Sequence, residues 1–178
     1  MKEQKAIEGC RKQDRISQKY VYDLYADAML LVCMRYVKPL PDAEELMLNG
    51  FYNFFKNIDR FIYNGDGSVR PWLRKIMLNE CLMHLRKTGE LKLKPEAAGE
   101  GESVDPVVTG DMQAAELLKL ISRLPPGYRT VFNLYEVEGY SHKEIANLLN
   151  ISEGTSKSQL SKARSQLQVM VKRQGWYN

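Results

Sequence analysis

The chain has 178 residues, 44% of them hydrophobic, and a formal net charge of +4, which bounds it to one large domain or two small ones with a core. No apolar run is long enough to cross a membrane, and the charged start MKEQKAIEGCRKQDR has no apolar signal core, so a cytoplasmic protein without membrane insertion is expected. Cys10, Cys33 and Cys81 stand apart without a CxxC pair, and neither a phosphate loop nor a Ser/His/acid grouping is visible, so the sequence supports no enzyme, metal, cofactor or small-molecule substrate.

Residues 1–13 are charged and are expected to form an N-terminal tail. A helix is predicted over 14–37, with Ile16, Tyr20, Val21, Leu24, Tyr25, Ala28, Leu31 and Val32 on one face. Pro39 and Pro41 end it, and Asp42 is expected to cap a second helix. The core stripe of that helix is Ala43, Leu46, Met47, Gly50, Phe51, Phe54, Phe55 and Ile58. Its opposite face carries Glu45, Leu48, Asn49, Tyr52 and Lys56. Leu48 and Tyr52 lie one turn apart where water is expected, so this face is a candidate partner surface.

The loop RFIYNGDGS exposes Tyr63, Asn64, Gly65 and Asp66. A third helix is predicted from about Val69, with Pro71 in its first turn. Leu73, Met77, Leu78, Cys81 and Leu85 fit its buried side, while Trp72, Lys75, Asn79 and Arg86 fall on another face. An aromatic ring, an amide and two cations on one face suit unpaired bases and phosphates. The same Trp also fits a core position, and spacing alone leaves both readings open.

The stretch 89–112 holds six acids against two lysines, −4 locally, leaving +8 for the remainder. It is Gly- and Pro-containing and lacks helical periodicity, which reads as a flexible acidic linker between basic helical domains. Met112–Arg123 has Leu117, Leu118, Leu120, Ile121 and Leu124 at helical spacing. After Pro125 and Pro126 a helix runs through Val131, Leu134, Tyr135 and Val137 to Gly139. Ser141 and Glu144 form the spacing of a capping box for HKEIANLLN. Asn150 suits a left-handed turn, Ile151 plugs it and Ser152 caps the next helix.

That next helix has an inner stripe of Ser156, Leu160, Ala163 and Leu167. Opposite lie Gly154, Ser158, Ser161, Lys162 and Ser165, with Thr155 and Lys157 on the flanks and Arg164 near one flank. Short hydroxyl side chains allow entry into a major groove, and lysines reach guanine edges or phosphates. Ser156 is expected to bond back to the carbonyl of Ser152.

Two motif sets carry a family resemblance. LPPGYRTVFNLYEVEGYSHKEIANLLNISEGTSKSQLSKARSQL resembles region 4 of bacterial sigma factors, and also the DNA-binding domain of two-component response regulators. AEELMLNGFYNFFKNIDRF and VRPWLRKIMLNECLMHLRK resemble region 2 of the extracytoplasmic-function (ECF) group of sigma factors. The resemblance implies an all-α chain: region 2-like domain 14–88, acidic linker 89–111 and region 4-like helix-turn-helix domain 112–178. It implies core RNA polymerase, promoter DNA and an anti-sigma factor as partners. Glu45, Leu48, Asn49 and Tyr52 would dock on polymerase. Tyr63, Asn64, Gly65 and Asp66 would pocket a flipped base. Trp72, Lys75, Asn79 and Arg86 would serve the melting −10 element. Gly154, Thr155, Lys157, Ser158, Ser161, Lys162 and Arg164 would read the −35 element. The linker would thread toward the RNA exit channel.

The chain departs from the family pattern in places. Leu48 stands where a Gln is usual, Met83 where an Asp is common, and Ser156 and Gln159 where Val and Arg are. These changes leave the class intact. The competing class is a helix-turn-helix transcriptional regulator with an N-terminal sensing domain, and a third is an RNA-binding or adaptor protein. Stoichiometric co-purification with core polymerase separates them.

Overall fold

The computed structural model describes residues 2–91 and 112–173. Among them are eight α-helices and no strand. In order they are α1 (Glu3–Arg11), α2 (Arg15–Tyr36), α3 (Leu40–Lys56), α4 (Val69–Thr88), α5 (Met112–Ser122), α6 (Pro126–Phe132), α7 (His142–Leu149) and α8 (Glu153–Arg173). The chain divides into two compact units, Met1–Met83 and His84–Asn178, with the division inside α4. The expected acidic linker lies outside the described residues from residue 92 to residue 111.

The first unit begins with a correction. The expected tail over residues 1–13 contains α1, which buries Ala6, Ile7 and Cys10. Those three positions follow helical spacing, and α2 supplies the surface that covers them. Asp14 then caps α2, its carboxylate accepting the Ser17 N–H at 2.9 Å. The buried stripe of α2 is Ser17, Val21, Tyr25, Met29, Val32, Cys33 and Tyr36. Ile16 and Leu24, expected on the inner face, are exposed (75% and 50%). The stripe is rotated because α1 covers α2 on one side while Phe51 of α3 packs on Tyr22, ring centroids 4.9 Å apart.

Helix α3 starts two residues before the expected cap. Pro39 is the N-cap and Asp42 sits in the first turn, because Pro41 fits a position whose N–H needs no partner. The expected core stripe is inside, with Phe55 only half-buried. Gly50 lets α4 approach closely: a Cβ there would lie 2.3 Å from Met77 Sδ. Asn53 Nδ2 adds a polar tie, donating to Glu80 Oε1 at 2.7 Å. All three cysteines are buried free thiols, and burial with the nearby Asp14 carboxylate pushes Cys10 up to about 11.

The second unit packs Leu120, Ile121, Leu124 and Tyr128 against Ala163 and Leu167 of α8. Leu117 is exposed. Arg129, only 3% exposed, turns inward and donates to the carbonyls of Ser122 (3.1 Å) and Leu124 (3.2 Å) at the end of α5. Burial lowers its pKa to about 10. The helix expected from Pro126 to Val137 is not uniform: after Phe132 it widens into a π-turn over Asn133–Val137.

Candidate nucleic-acid interface

The helix-turn-helix is assembled from local capping. Ser141 Oγ accepts the N–H of Glu144, and the Glu144 carboxylate accepts the N–H of Ser141 at 2.8 Å, a complete capping box. The Ser141 hydroxyl, which donates to the Glu144 carboxylate at 2.7 Å, and then the Ser141 N–H hold the Glu144 pKa below the usual carboxylate value. Asn150 ends α7 in the left-handed region (φ 54°, ψ 50°). Ser152 Oγ accepts the Thr155 N–H at 3.0 Å and so caps α8.

Helix α8 buries Ser156, Leu160, Ala163 and Leu167, as its spacing predicts. It also buries Gln159, whose Oε1 finds no hydrogen-bond partner among the described residues. Ser156 corrects one expectation. Its hydroxyl does not return to the Ser152 carbonyl, which accepts the Ser156 backbone N–H instead. The hydroxyl meets His142 Nδ1 of α7 at 2.8 Å, and the His142 ring stacks on Tyr135 at 4.6 Å. The two helices are thereby joined through a side chain that helical spacing alone does not reveal.

The outer face of α8 is open. Gly154, Lys157, Ser158, Ser161 and Lys162 are exposed and Thr155 is half-buried. The Ser158 hydroxyl donates to the Thr155 carbonyl at 3.0 Å. Lys162 Nζ lies 5.9 Å from the Tyr128 ring centroid, a contact worth about 0.5–1 kcal/mol at an exposed site. Arg164 is already engaged. Its Nε and guanidinium terminus donate to Glu136 Oε1 at 2.8 and 2.5 Å, and it lies over Tyr135. Such an exposed ion pair is worth about 0–1 kcal/mol, so a phosphate can displace it.

In the first unit, Glu45, Leu48, Asn49 and Tyr52 form one exposed face of α3. Leu48 is 52% and Tyr52 64% exposed, with Lys56 Nζ 5.8 Å from the Tyr52 ring. The face is apolar at its centre and charged at its margins, as its spacing predicts.

A second exposed surface runs along α4. Lys75 and Asn79 are exposed and Trp72 is half-buried, while Arg86, in the second unit, is exposed and donates to the carbonyl of Leu148. The Trp72 ring stacks on Phe61 at 5.0 Å and meets Phe54 edge-on at 5.2 Å. One side of the Trp72 ring is thus packed, as the core reading expects, and the rest is open. Phe61 ends the 3-10 turn Ile58–Arg60 and leads into the loop, so Trp72 also anchors the loop's entry. Within the loop, the Tyr63 hydroxyl donates to Asp66 Oδ1 at 2.5 Å, which pushes the Tyr63 pKa up to about 12. Asn64, Gly65 and Asp66 are exposed, and Ser68 N–H closes a turn onto the Gly65 carbonyl at 3.1 Å. Among the described residues there is no group of three His, Cys, Asp or Glu side chains able to hold a metal, and no helix is long and apolar enough to cross a membrane.

Residues 21–90 match the family model for sigma-70 region 2, and residues 114–167 match that for sigma-70, region 4. The chain belongs to the sigma-70 family. Its relatives place it in the ECF group. It is 28% identical to the ECF RNA polymerase sigma factor SigW of Bacillus subtilis, covering 94% of this chain and 96% of the relative. It is also 28% identical to SigM of the same organism, covering 90% and 95%. In fold it is similar to the sigma factor RpoE solved in complex with the anti-sigma factor NepR from Bartonella quintana. That match has a TM-score of 0.54 at 24% identity and covers 86% of this chain and 96% of that one. The protein is an alternative sigma factor, directing promoter recognition and transcription initiation.

Proposed function

We propose that the two units divide the work of initiation. Supporting this is the difference between their surfaces: one chain carries both a thin, hydroxyl-rich recognition helix and a loop-and-helix surface suited to unpaired bases. The exposed face of α8 enters the major groove of the −35 element. Ser158, Ser161 and Lys162 touch base edges. Gly154 and Thr155 bring the helix N-terminus to a phosphate, and Lys157 and Arg164 serve the backbone. Tyr63, Asn64, Gly65 and Asp66 receive a flipped −10 base, while Lys75, Asn79, Arg86 and the open edge of Trp72 hold the melted strand. No chemical step is assigned to the protein itself.

Glu45, Leu48, Asn49 and Tyr52 dock on core RNA polymerase, their exposed apolar centre being what a partner buries. An anti-sigma factor is a further partner, as it is for the Bartonella quintana protein. The region 2-like domain 14–88 is extended to take in α1, and the linker 89–111 joins it to the region 4-like domain 112–178. The cytoplasm, where polymerase and promoter are found, is the place of action. The test is capture of core polymerase by the Leu48→Asp/Tyr52→Asp double variant. Desolvated apolar anchors each contribute about 2 kcal/mol or more, so affinity for core polymerase falls by about three orders of magnitude while helicity by circular dichroism is kept. Undiminished capture at normal helicity refutes the docking face.

A further inference from the structure

The loop over residues 62–68 is not held by packing. A Cβ at Gly65 or Gly67 would meet nothing within 4 Å, and Ile62 is 76% exposed. A cleft of about 500 Å³ lies between the loop's first residues and α1, bordered by Ile7, Arg11, Asp59, Phe61, Ile62 and Tyr63 among others. An open loop with two glycines at positive φ (99° and 88°) has many conformations to lose. Something other than apolar contact has to select one.

The selecting groups come from α1, at the other end of this unit's sequence. Arg11 donates from its guanidinium to the carbonyl of Phe61 at 2.7 Å, fixing the chain as it enters the loop. Glu3 fixes the exit. Both of its carboxylate oxygens lie 3.3 Å from the backbone N of Gly67, which donates to them. Glu3 is only 9% exposed, unusual for a carboxylate. Its second partner is the Tyr25 hydroxyl of α2, which donates to Oε2 at 2.5 Å. Burial, then the bond and charge of Glu3, raise the Tyr25 pKa. A buried carboxylate is tolerated when its oxygens are satisfied, and here the satisfying groups lie on α2 and on the loop.

Helix α1 is itself well seated. Gly9 brings it against α2 so closely that a Cβ there would lie 2.0 Å from Ser17 Oγ. Ala6, Ile7 and Cys10 are each 1% exposed or less. Arg11 and Glu3 lie two turns apart on this fixed helix, and the two ends of the loop are tied to them.

We propose that Glu3 is a positioning residue for promoter melting: through the Gly67 N–H it holds the Tyr63–Asp66 segment in the shape that receives an unpaired base. Glu3 does not touch the DNA. The inference rests on the assignment of that loop to the −10 element, and it adds that α1 is part of the melting apparatus.

The test uses the full chain with core polymerase and two readouts. The first is exchange of the Gly67 amide in the free protein, followed by NMR. The second is permanganate reactivity of promoter thymines on duplex DNA. Glu3→Ala speeds Gly67 exchange about fivefold or more, the loss of one charge-assisted hydrogen bond, and lowers duplex opening. Polymerase capture and transcription from a pre-melted template are kept. Glu3→Gln retains an acceptor oxygen and restores most of both readouts. Tyr25→Phe controls for a general loss of stability: it removes the other partner of Glu3, leaves the Gly67 tie, and keeps Gly67 exchange slow. Unchanged Gly67 exchange in Glu3→Ala overturns the tie itself. Faster exchange with undiminished opening overturns the role proposed for Glu3, and undiminished opening in Tyr63→Ala as well overturns the assignment of the loop to melting.

Discussion

The turn of the helix-turn-helix and the loop before α4 are both exposed segments in which backbone geometry matters, yet only the loop is also tied to a helix fifty or more residues away. In the turn, the caps are local, Ser141 with Glu144, Asn150 in the left-handed region and Ser152 with Thr155, and the longest tie, His142 with Ser156, spans fourteen residues. In the loop, short-range bonds (Tyr63 to Asp66, Ser68 to Gly65) are joined by two ties from far away in sequence, Glu3 on Gly67 and Arg11 on Phe61. A local restraint closes few residues and costs little chain entropy. A distant one must be supported by the folding of the whole unit. The −35 reader is therefore expected to be insensitive to changes in the first unit, and the loop highly sensitive to them.

That difference also sets what sequence reading can reach. Capping residues announce themselves by spacing, so the helix-turn-helix and the inner stripe of α8 are legible position by position. The outer faces of α3 and α4 are legible for the same reason. The ties made by Glu3 and Arg11 leave no periodic signal, since a carboxylate and a guanidinium near the start of a charged stretch look like solvated surface. The pairing of His142 with Ser156 and the capture of Arg164 by Glu136 depend on how helices cross. The rotated stripe of α2, with Ile16 and Leu24 outside, depends on where α1 and α3 sit.

The comparison breaks most readily at Trp72. Trp72→Ala removes a ring packed on Phe54 and Phe61 and costs about 3 kcal/mol of stability, measured by urea unfolding. Loop geometry is lost with it, whereas binding to a duplex −35 element is retained. A variant of unchanged stability would show that the ring is not the loop's anchor.

A smaller effect sharpens the other half. Lys162→Ala costs about 1–3 kcal/mol in promoter binding and relaxes preference at one base pair if the amine reads a guanine edge. Arg164→Ala, freed from Glu136, weakens binding evenly across sequences and lowers its salt dependence. Binding selections on randomised −35 DNA separate the two patterns. Unaltered preference in the Lys162 variant would remove it from the reading face.

The smallest effect is the most local. Ser141→Ala deletes one half of the capping box and costs about 1 kcal/mol. Thermal unfolding registers the loss, while the Gly67 amide, held from α1, keeps its exchange rate. A change in Gly67 exchange here would show the two segments to be coupled.

The division of labour itself is tested most directly at Asn79, exposed on α4, the helix that follows the loop, and remote in sequence from the recognition helix. The measurement is permanganate reactivity of promoter thymines with core polymerase and either the parent protein or Asn79→Ala. A flipped base costs a few kcal/mol of unstacking that contacts on this surface must offset. Asn79→Ala therefore forms the closed complex normally, opens duplex promoters poorly and regains much of its transcription on a pre-melted bubble. Duplex opening equal to that of the parent protein would contradict the account and leave the α4 face a structural one.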